Sequence, residues 1–324
     1  MAHDWDMMRS MAPISTKMLE KGGSSKAVKP MTEETRFRGS STGDFCARKL
    51  AIESVLGIES VKTYGRDSQF YFTIGNGIHA AFQDDIFSKY LIGSWRCGGC
   101  GKVHGSIDRA IKMPSRCDGM VWNTETEELE QCPNHNWIED VILDWHLPGF
   151  RYEELSIRSD DPPFYAHPDG ILWRGEDAPP DELDLTDASS LDPDVLKYLE
   201  ILELKSAGED AINNGYSGEP PLKLEPSEKH KRQVSTYMYF TKIPRSRIVY
   251  IDKAGSGWRS AVIEHVVLLN IDYIEREVIN PVRSLYEAIR RGDHTIATRV
   301  CDDALCSKAV SCPVSKHCFP EAHE

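Results

Sequence analysis

Two sets of residues have types and spacings that can do chemistry: the cysteines Cys97, Cys100, Cys117 and Cys132, and the acids Asp169 and Glu203. Cys97-Gly98-Gly99-Cys100-Gly101 is a tight knuckle whose glycines let two thiolates converge on one ion, and Cys117 with Cys132 completes a tetrahedral set. The second half is not a clean C-x-x-C, so His135 or His104 stays open as a substitute ligand. Four protein ligands leave no open position, which makes zinc here structural or part of a substrate-gripping surface. The competing reading is a set of unrelated loop cysteines.

The second set lies in two short apolar runs, Ala166-His167-Pro168-Asp169-Gly170-Ile171-Leu172 and Ile201-Leu202-Glu203-Leu204-Lys205-Ser206. Side chains alternate faces along a strand, so Glu203 and Lys205 point one way while Leu202 and Leu204 point the other. Placing a carboxylate and an ammonium on one face of a buried strand carries a desolvation cost that packing does not explain. A strand-end salt bridge would account for that pair alone, without Asp169. Further on, Lys229-His230-Lys231-Arg232 is a positive cluster, to be weighed as a phosphate-contact surface against an ordinary solvated helix face.

The whole chain constrains these readings. It has 324 residues, 40% apolar and 27% charged, an ordinary globular balance. Its formal net charge of -13 argues against a protein that coats nucleic acid nonspecifically, while leaving room for a local basic groove. There is no apolar run of about 18 residues and no signal-peptide pattern at the start, so the expectation is a soluble, cytoplasmic protein with no membrane partner. Nine cysteines in such a compartment favour metal binding over disulfides. Besides the knuckle set, Cys301, Cys306, Cys312 and Cys318 cluster near the end, and Cys46 stands alone.

The elements that must position these residues follow from pattern. Residues 1–40 are expected to form a flexible arm, and 41–324 one domain. A helix follows Ser41, Thr42 or Asp44, with Cys46 in its first turn. His79, Phe82, Gln83 and Ile86 fall at helical spacing. Residues 95–137 form the zinc-binding insertion, followed by strands over 137–147 and 152–157. The acid-rich segment 174–196 is expected to be a solvated, mobile loop. Ser227 or Glu228 opens a helix carrying Lys229, Gln233 and Tyr237 on one face. Strands over 247–251 and 260–269 precede a helix from 271 to 291 kinked by Pro281, and the cysteine-rich tail 295–324 needs a metal centre to hold it down.

Taken together, these pieces resemble the PD-(D/E)XK nuclease superfamily, in particular RecB-like exonucleases and related CRISPR-associated or phage-borne nucleases. The matching motifs are Gly75-Asn76-Gly77-Ile78-His79, His167-Pro168-Asp169-Gly170, Glu203-Leu204-Lys205 and Gln233-Val234-Ser235-Thr236-Tyr237, in order over residues 75–237. The resemblance implies an α/β fold with a central mixed sheet flanked by helices. It also implies a 4Fe-4S cluster held by Cys46, Cys312, Cys318 and one more cysteine, a clasp between the N-terminal helix and the tail. The family places that further ligand where Ala309 stands, so Cys306 is preferred here, with Cys301 as its substitute.

Phosphodiester hydrolysis needs an activated water and a clamp on developing charge, which carboxylate-bound divalent metals supply. Asp169 and Glu203 would hold Mg2+ or Mn2+, with the Leu204 carbonyl as a possible addition; the resemblance adds His79. Lys205 would position the water and steady the phosphate oxygens, Gln233 and Tyr237 would orient the strand or the lysine, and Lys229, Lys231 and Arg232 would contact DNA. The expected activity is exonucleolytic cleavage of single-stranded DNA or DNA ends in recombination, repair or phage DNA processing, in the host cytoplasm if phage-encoded. Recombination or replication proteins are conceivable partners. The rivals are a structure-specific or restriction-type endonuclease on the same core, and a noncatalytic nucleic-acid-binding adaptor whose metal centres are scaffolding.

Overall fold

The computed structural model describes residues 24–64, 66–132, 149–216, 218–253 and 262–322. The expected strand over 137–147, and His135, lie outside these. Among the described residues, eight strands form the main sheet: β1 (Leu91–Cys97), β2 (Val103–His104), β3 (Ile111–Lys112), β4 (Phe150–Glu153), β5 (Gly170–Trp173), β6 (Leu199–Ala207), β7 (Arg245–Asp252) and β8 (Val262–Leu268). Their order is β8-β7-β6-β5-β1-β2, with β3 and β4 also pairing with β1. Only β6 and β7 run parallel on this path, and the other pairs for which a register is described are antiparallel, so the sheet is mixed.

The helices that bear on the site are α1 (Ala47–Val55), α2 (Arg66–Ala81), α3 (Glu228–Thr241) and α4 (Asn280–Arg291). Strand alternation sorts two cores. Leu199 and Ile201 of β6 join Val234 and Met238 of α3 and Val282 and Leu285 of α4. Leu202 and Leu204 instead join Leu91 and Trp95 of β1, with Ile78 of α2 packed against them. The fold is thus a mixed α/β architecture with helices on both faces of the sheet. β6 is buried on both sides from Leu199 to Leu204, as a central strand requires, with Glu200, paired to Arg174 and Arg247, and Glu203 as its charged members there.

Several expectations shift in detail. Residues 24–28 pair with Ser60–Tyr64 and Phe37 is buried, so the expected arm is folded from residue 24 onward. Cys46 is the N-cap of α1, one residue before its first turn. Segment 174–196 is held down: Leu183 and Leu185 are buried in the main core, Leu183 bridges Ala110, and Asp187 and Asp192 cap short turns. A minority of apolar residues anchors a chain whose acids stay in solvent. The helix from residue 271 contains a wide π turn at Glu275–Ile279, immediately before α4, whose first turn holds Pro281; losing one N–H there is accommodated by that local change of winding. No helix among the described residues is long and apolar enough to cross a membrane.

Candidate active site and metal centres

Asp169 immediately precedes β5, and the β5–β6 register sets Gly170 opposite Leu202. Gly170 lacks room for a side chain, since an added Cβ would collide with Leu91. The register with β6 brings Asp169 to the middle of that strand, where its Oδ2 accepts the Leu204 N–H at 2.6 Å. Leu204 thus meets Asp169 through its amide, and it also lines the open cleft beside the site.

Lys205 Nζ donates to Glu203 Oε1, consistent with their sharing a face of β6. From α3, Gln233 Nε2 donates to the same oxygen at 2.7 Å and lies 2.7 Å from the Tyr237 hydroxyl. From α2, His79 Nδ1 stands 3.3 Å from Asp169 Oδ1. The expected Asp169, Glu203, Lys205, Gln233, Tyr237 and His79 are thus brought together. Of these, His79 and Lys205 line, together with Leu204, an open cleft of about 490 Å³ walled by Tyr71, Phe72 and Lys253, and the buried Asp169 and Glu203 touch them from within.

The electrostatics of this cluster are those of crowded anions. Burial first, then the charge of Asp169, pushes the Glu203 carboxyl up to about 8, against the opposing pull of Lys205 and His79. Burial alone would lower Lys205, but Glu203 and Asp169 outweigh it and keep the ammonium protonated. The hydrogen bond to Asp169 raises His79 against its desolvation. Glu203 is 1% exposed, and its Oε2 is buried without a hydrogen-bond partner. A buried acceptor left in this condition costs about 1–3 kcal/mol. Hard oxygen donors with one imidazole fit Mg2+ or Mn2+, and such an ion would relieve both the crowding and the orphaned oxygen.

Two participants were missed from sequence. Glu154, just after β4, offers an oxygen that lies with His79 and Asp169 donor atoms within 4.8 Å of one another. Burial, then Asp169, raises its carboxyl. Gln83, on the π turn that continues α2, donates to the Asp169 carbonyl at 2.6 Å. Gln83 carried the helical spacing of His79 as a signal; Glu154 carried none, because strand pairing across more than fifty residues brings it in.

The basic cluster is placed differently from expectation. Lys231 pairs with Glu228 at 2.6 Å and Arg232 with Glu277 at 3.0 Å, and neither they nor Lys229 line the cleft. Among the described residues the cleft is instead lined by Lys253 beside Lys205, and the Lys253 backbone N–H donates to the carbonyl of Ala207, the last residue of the site strand, at 2.9 Å.

Cys97, Cys100, Cys117 and Cys132 converge, with sulfur atoms within 4.8 Å of one another. Two pairs, Cys97–Cys132 and Cys100–Cys117, lie at 3.5 Å. A tetrahedron with metal–sulfur bonds of ~2.3 Å has edges of ~3.8 Å, so these four can hold a metal ion. The N–H groups of Gly99 and Gly119 point at the Cys97 and Cys117 sulfurs, at 3.4 and 3.2 Å, as partners for thiolates. Burial raises the Cys117 thiol, which therefore stays protonated unless a cation binds. His104 Nε2 lies 3.3 Å from the Cys117 sulfur, with its Nδ1 3.5 Å from Asp118.

Between α1 and the tail, Cys46, Cys301, Cys312 and Cys318 line one small cavity together with Ala309. Cys306, the preferred fourth ligand from sequence, does not line it. Its sulfur caps the short helix Ser307–Val310, accepting the Ala309 N–H at 3.3 Å. Cys301 does line it, its thiol pushed up to about 12 by burial and by the adjacent Cys306, so that both cysteines stand at this end of the tail.

No protein-family model matches the chain, and no curated protein matches it. The crystal structure of SSO0001 is similar to it with 11% identity over 97% of each chain and a TM-score of 0.31, a likeness that carries no argument.

Proposed function

We propose that this chain is a metal-dependent deoxyribonuclease with a PD-(D/E)XK core, cleaving single-stranded DNA or DNA ends. The observation that supports it most is the meeting of Asp169, His79, Lys205 and Glu203 beside an open cleft, with a Glu203 oxygen buried and unpartnered. Mg2+ or Mn2+ held by Asp169, Glu203 and His79, with Glu154 in reach, would supply an activated water and offset the charge on the scissile phosphate. Lys205, protonated and facing the cleft, steadies a phosphate oxygen as a compact point charge. Gln233, itself next to Tyr237, holds the Glu203 carboxylate in place, and Gln83 fixes the backbone from which Asp169 projects.

In the same reading, zinc occupies the Cys97, Cys100, Cys117 and Cys132 set and stabilises the insertion. A 4Fe-4S cluster at Cys46, Cys301, Cys312 and Cys318 ties the tail to α1. Its donors are soft thiolates in a small cavity, which suits iron-sulfur or zinc. Anaerobic purification with metal analysis and an absorption spectrum tests both assignments.

The decisive assay is digestion of end-labelled linear and circular single-stranded DNA with Mn2+ or Mg2+. Cleavage of linear DNA with circles spared supports an exonuclease, and cut circles transfer the reading to an endonuclease. Glu203→Ala is expected to lower cleavage by on the order of 10²–10³ or more while DNA binding is kept. Wild-type protein that binds DNA but never cuts it would favour the adaptor.

A further inference from the structure

The α2 wall of the cleft has a composition that hydrolysis alone does not require. Tyr71 and Phe72 are 52% and 55% exposed, yet both line the cleft that contains His79 and Lys205. They sit near the start of α2, and the stripe Tyr71-Gly75-His79 advances by one turn at each step. Eight residues of helix amount to ~12 Å, so the aromatic pair stands about two turns from the imidazole. Between them Gly75 leaves the floor low; an added Cβ there would already touch the Ser206 hydroxyl at 3.4 Å. Lys253 Nζ lies 4.9 Å from the centre of the Tyr71 ring, bringing a cation to the aromatic face.

Exposed aromatic rings with an adjacent ammonium, in a groove leading to a hydrolytic cluster, are suited to a ligand that alternates flat π faces with negative charge. We propose that Tyr71 and Phe72 are a stacking platform for unpaired bases of a single DNA strand, with Lys253 holding its phosphates, and that this wall makes the site select unwound DNA. The inference rests on the nuclease reading and adds its specificity determinants. Paired bases have their faces covered by neighbouring pairs and cannot engage the rings, so a duplex gains only the phosphate contacts. Stacking of a base on an aromatic side chain contributes ~1–3 kcal/mol per base, or roughly 5- to 150-fold in affinity.

The test is fluorescence anisotropy on the full chain in Ca2+, with an oligothymidylate, an abasic strand of equal length and a duplex of equal length. Wild type should bind the oligothymidylate about 10- to 100-fold more tightly than the abasic strand. Tyr71→Ala/Phe72→Ala should erase that difference, Tyr71→Trp/Phe72→Trp should restore it, and Lys253→Ala should weaken both strands alike. Equal binding of the two strands by wild type, or a preference that survives the alanine pair, overturns the platform. If labelled DNA is nevertheless cut in a Glu203-dependent way, the platform falls and the nuclease stands. If wild type neither binds nor cuts any of these substrates with Mn2+, the nuclease reading falls and the platform with it.

Discussion

β1 connects two donor sets of opposite chemistry. At its end, Cys97 joins three other thiols, buried or half-buried, with backbone N–H groups aimed at two of the sulfurs. Alongside β1, β5 follows Asp169, which forms a set of hard donors with His79 and Glu154, while Glu203 stands close by through Lys205; of these residues His79 and Lys205 line the open cleft. The first set is closed: each ligand faces the others and no approach to a substrate remains. The second adjoins an open cleft, crowds three carboxyls so that Glu203 and Glu154 are raised, and leaves one buried oxygen without a partner. A closed soft site contributes to folding; an open hard site retains unfavourable electrostatics that a cation and substrate can relieve.

The largest way to break this contrast is Cys117→Ser. Apparent binding energies of structural zinc reach ~10–16 kcal/mol in zinc-finger peptides, and losing one thiolate removes a large share of that. Metal analysis should show about one equivalent of zinc lost, and limited proteolysis should begin to cut between residues 97 and 132. Mn2+ binding at the cleft should change little. If it collapses too, the regions are one cooperative unit and the contrast fails.

A smaller effect sharpens the other side. Glu154→Gln keeps the shape of the side chain and removes one anionic donor beside His79 and Asp169. Mn2+ affinity, by calorimetric titration of the zinc-loaded protein, should fall about 10- to 100-fold with zinc content unchanged. Unaltered affinity would remove Glu154 from the ligand set and leave Asp169, His79 and Glu203.

How much of this was legible depended on distance along the chain. Strand alternation alone put Glu203 and Lys205 on one face, and helical spacing put His79 and Gln83 on one helix, because both rules are local. The cysteine knuckle was legible through its glycines. What failed was long-range. Glu154 arrives through strand pairing, and Arg232 is claimed by Glu277, forty-five residues on, so its positive charge does not face the cleft. The choice between Cys306 and Cys301 also turns on tertiary placement, since Cys301 lines the cavity of Cys46, Cys312 and Cys318 and Cys306 does not. Segment 174–196 was read from its acids, while Leu183 and Leu185 decide where it lies.

The smallest predicted effect asks whether acid acts on the helix behind the cleft or on the thiols. His230 of α3 is buried, its Nδ1 2.8 Å from the Tyr250 hydroxyl, which also accepts the Ser227 N–H at 3.1 Å. Burial, then the charges of Lys205 and Lys229, pushes its imidazole down to about 3. In the unfolded chain the value returns to ~6.5. As pH falls below that, the unfolded state takes up a proton the folded state refuses, so stability is full above ~6.5 and declines below it. The slope approaches ~1.4 kcal/mol per pH unit, or about 1.4 kcal/mol lost from this group by pH 5.5. His230→Gln removes that contribution, so denaturant midpoints should fall less steeply between pH 7 and 5.5 than in wild type. An identical decline in both would clear His230, and zinc release measured over the same pH range would then show whether protonation of the thiolate set makes the closed site the weaker of the two in acid.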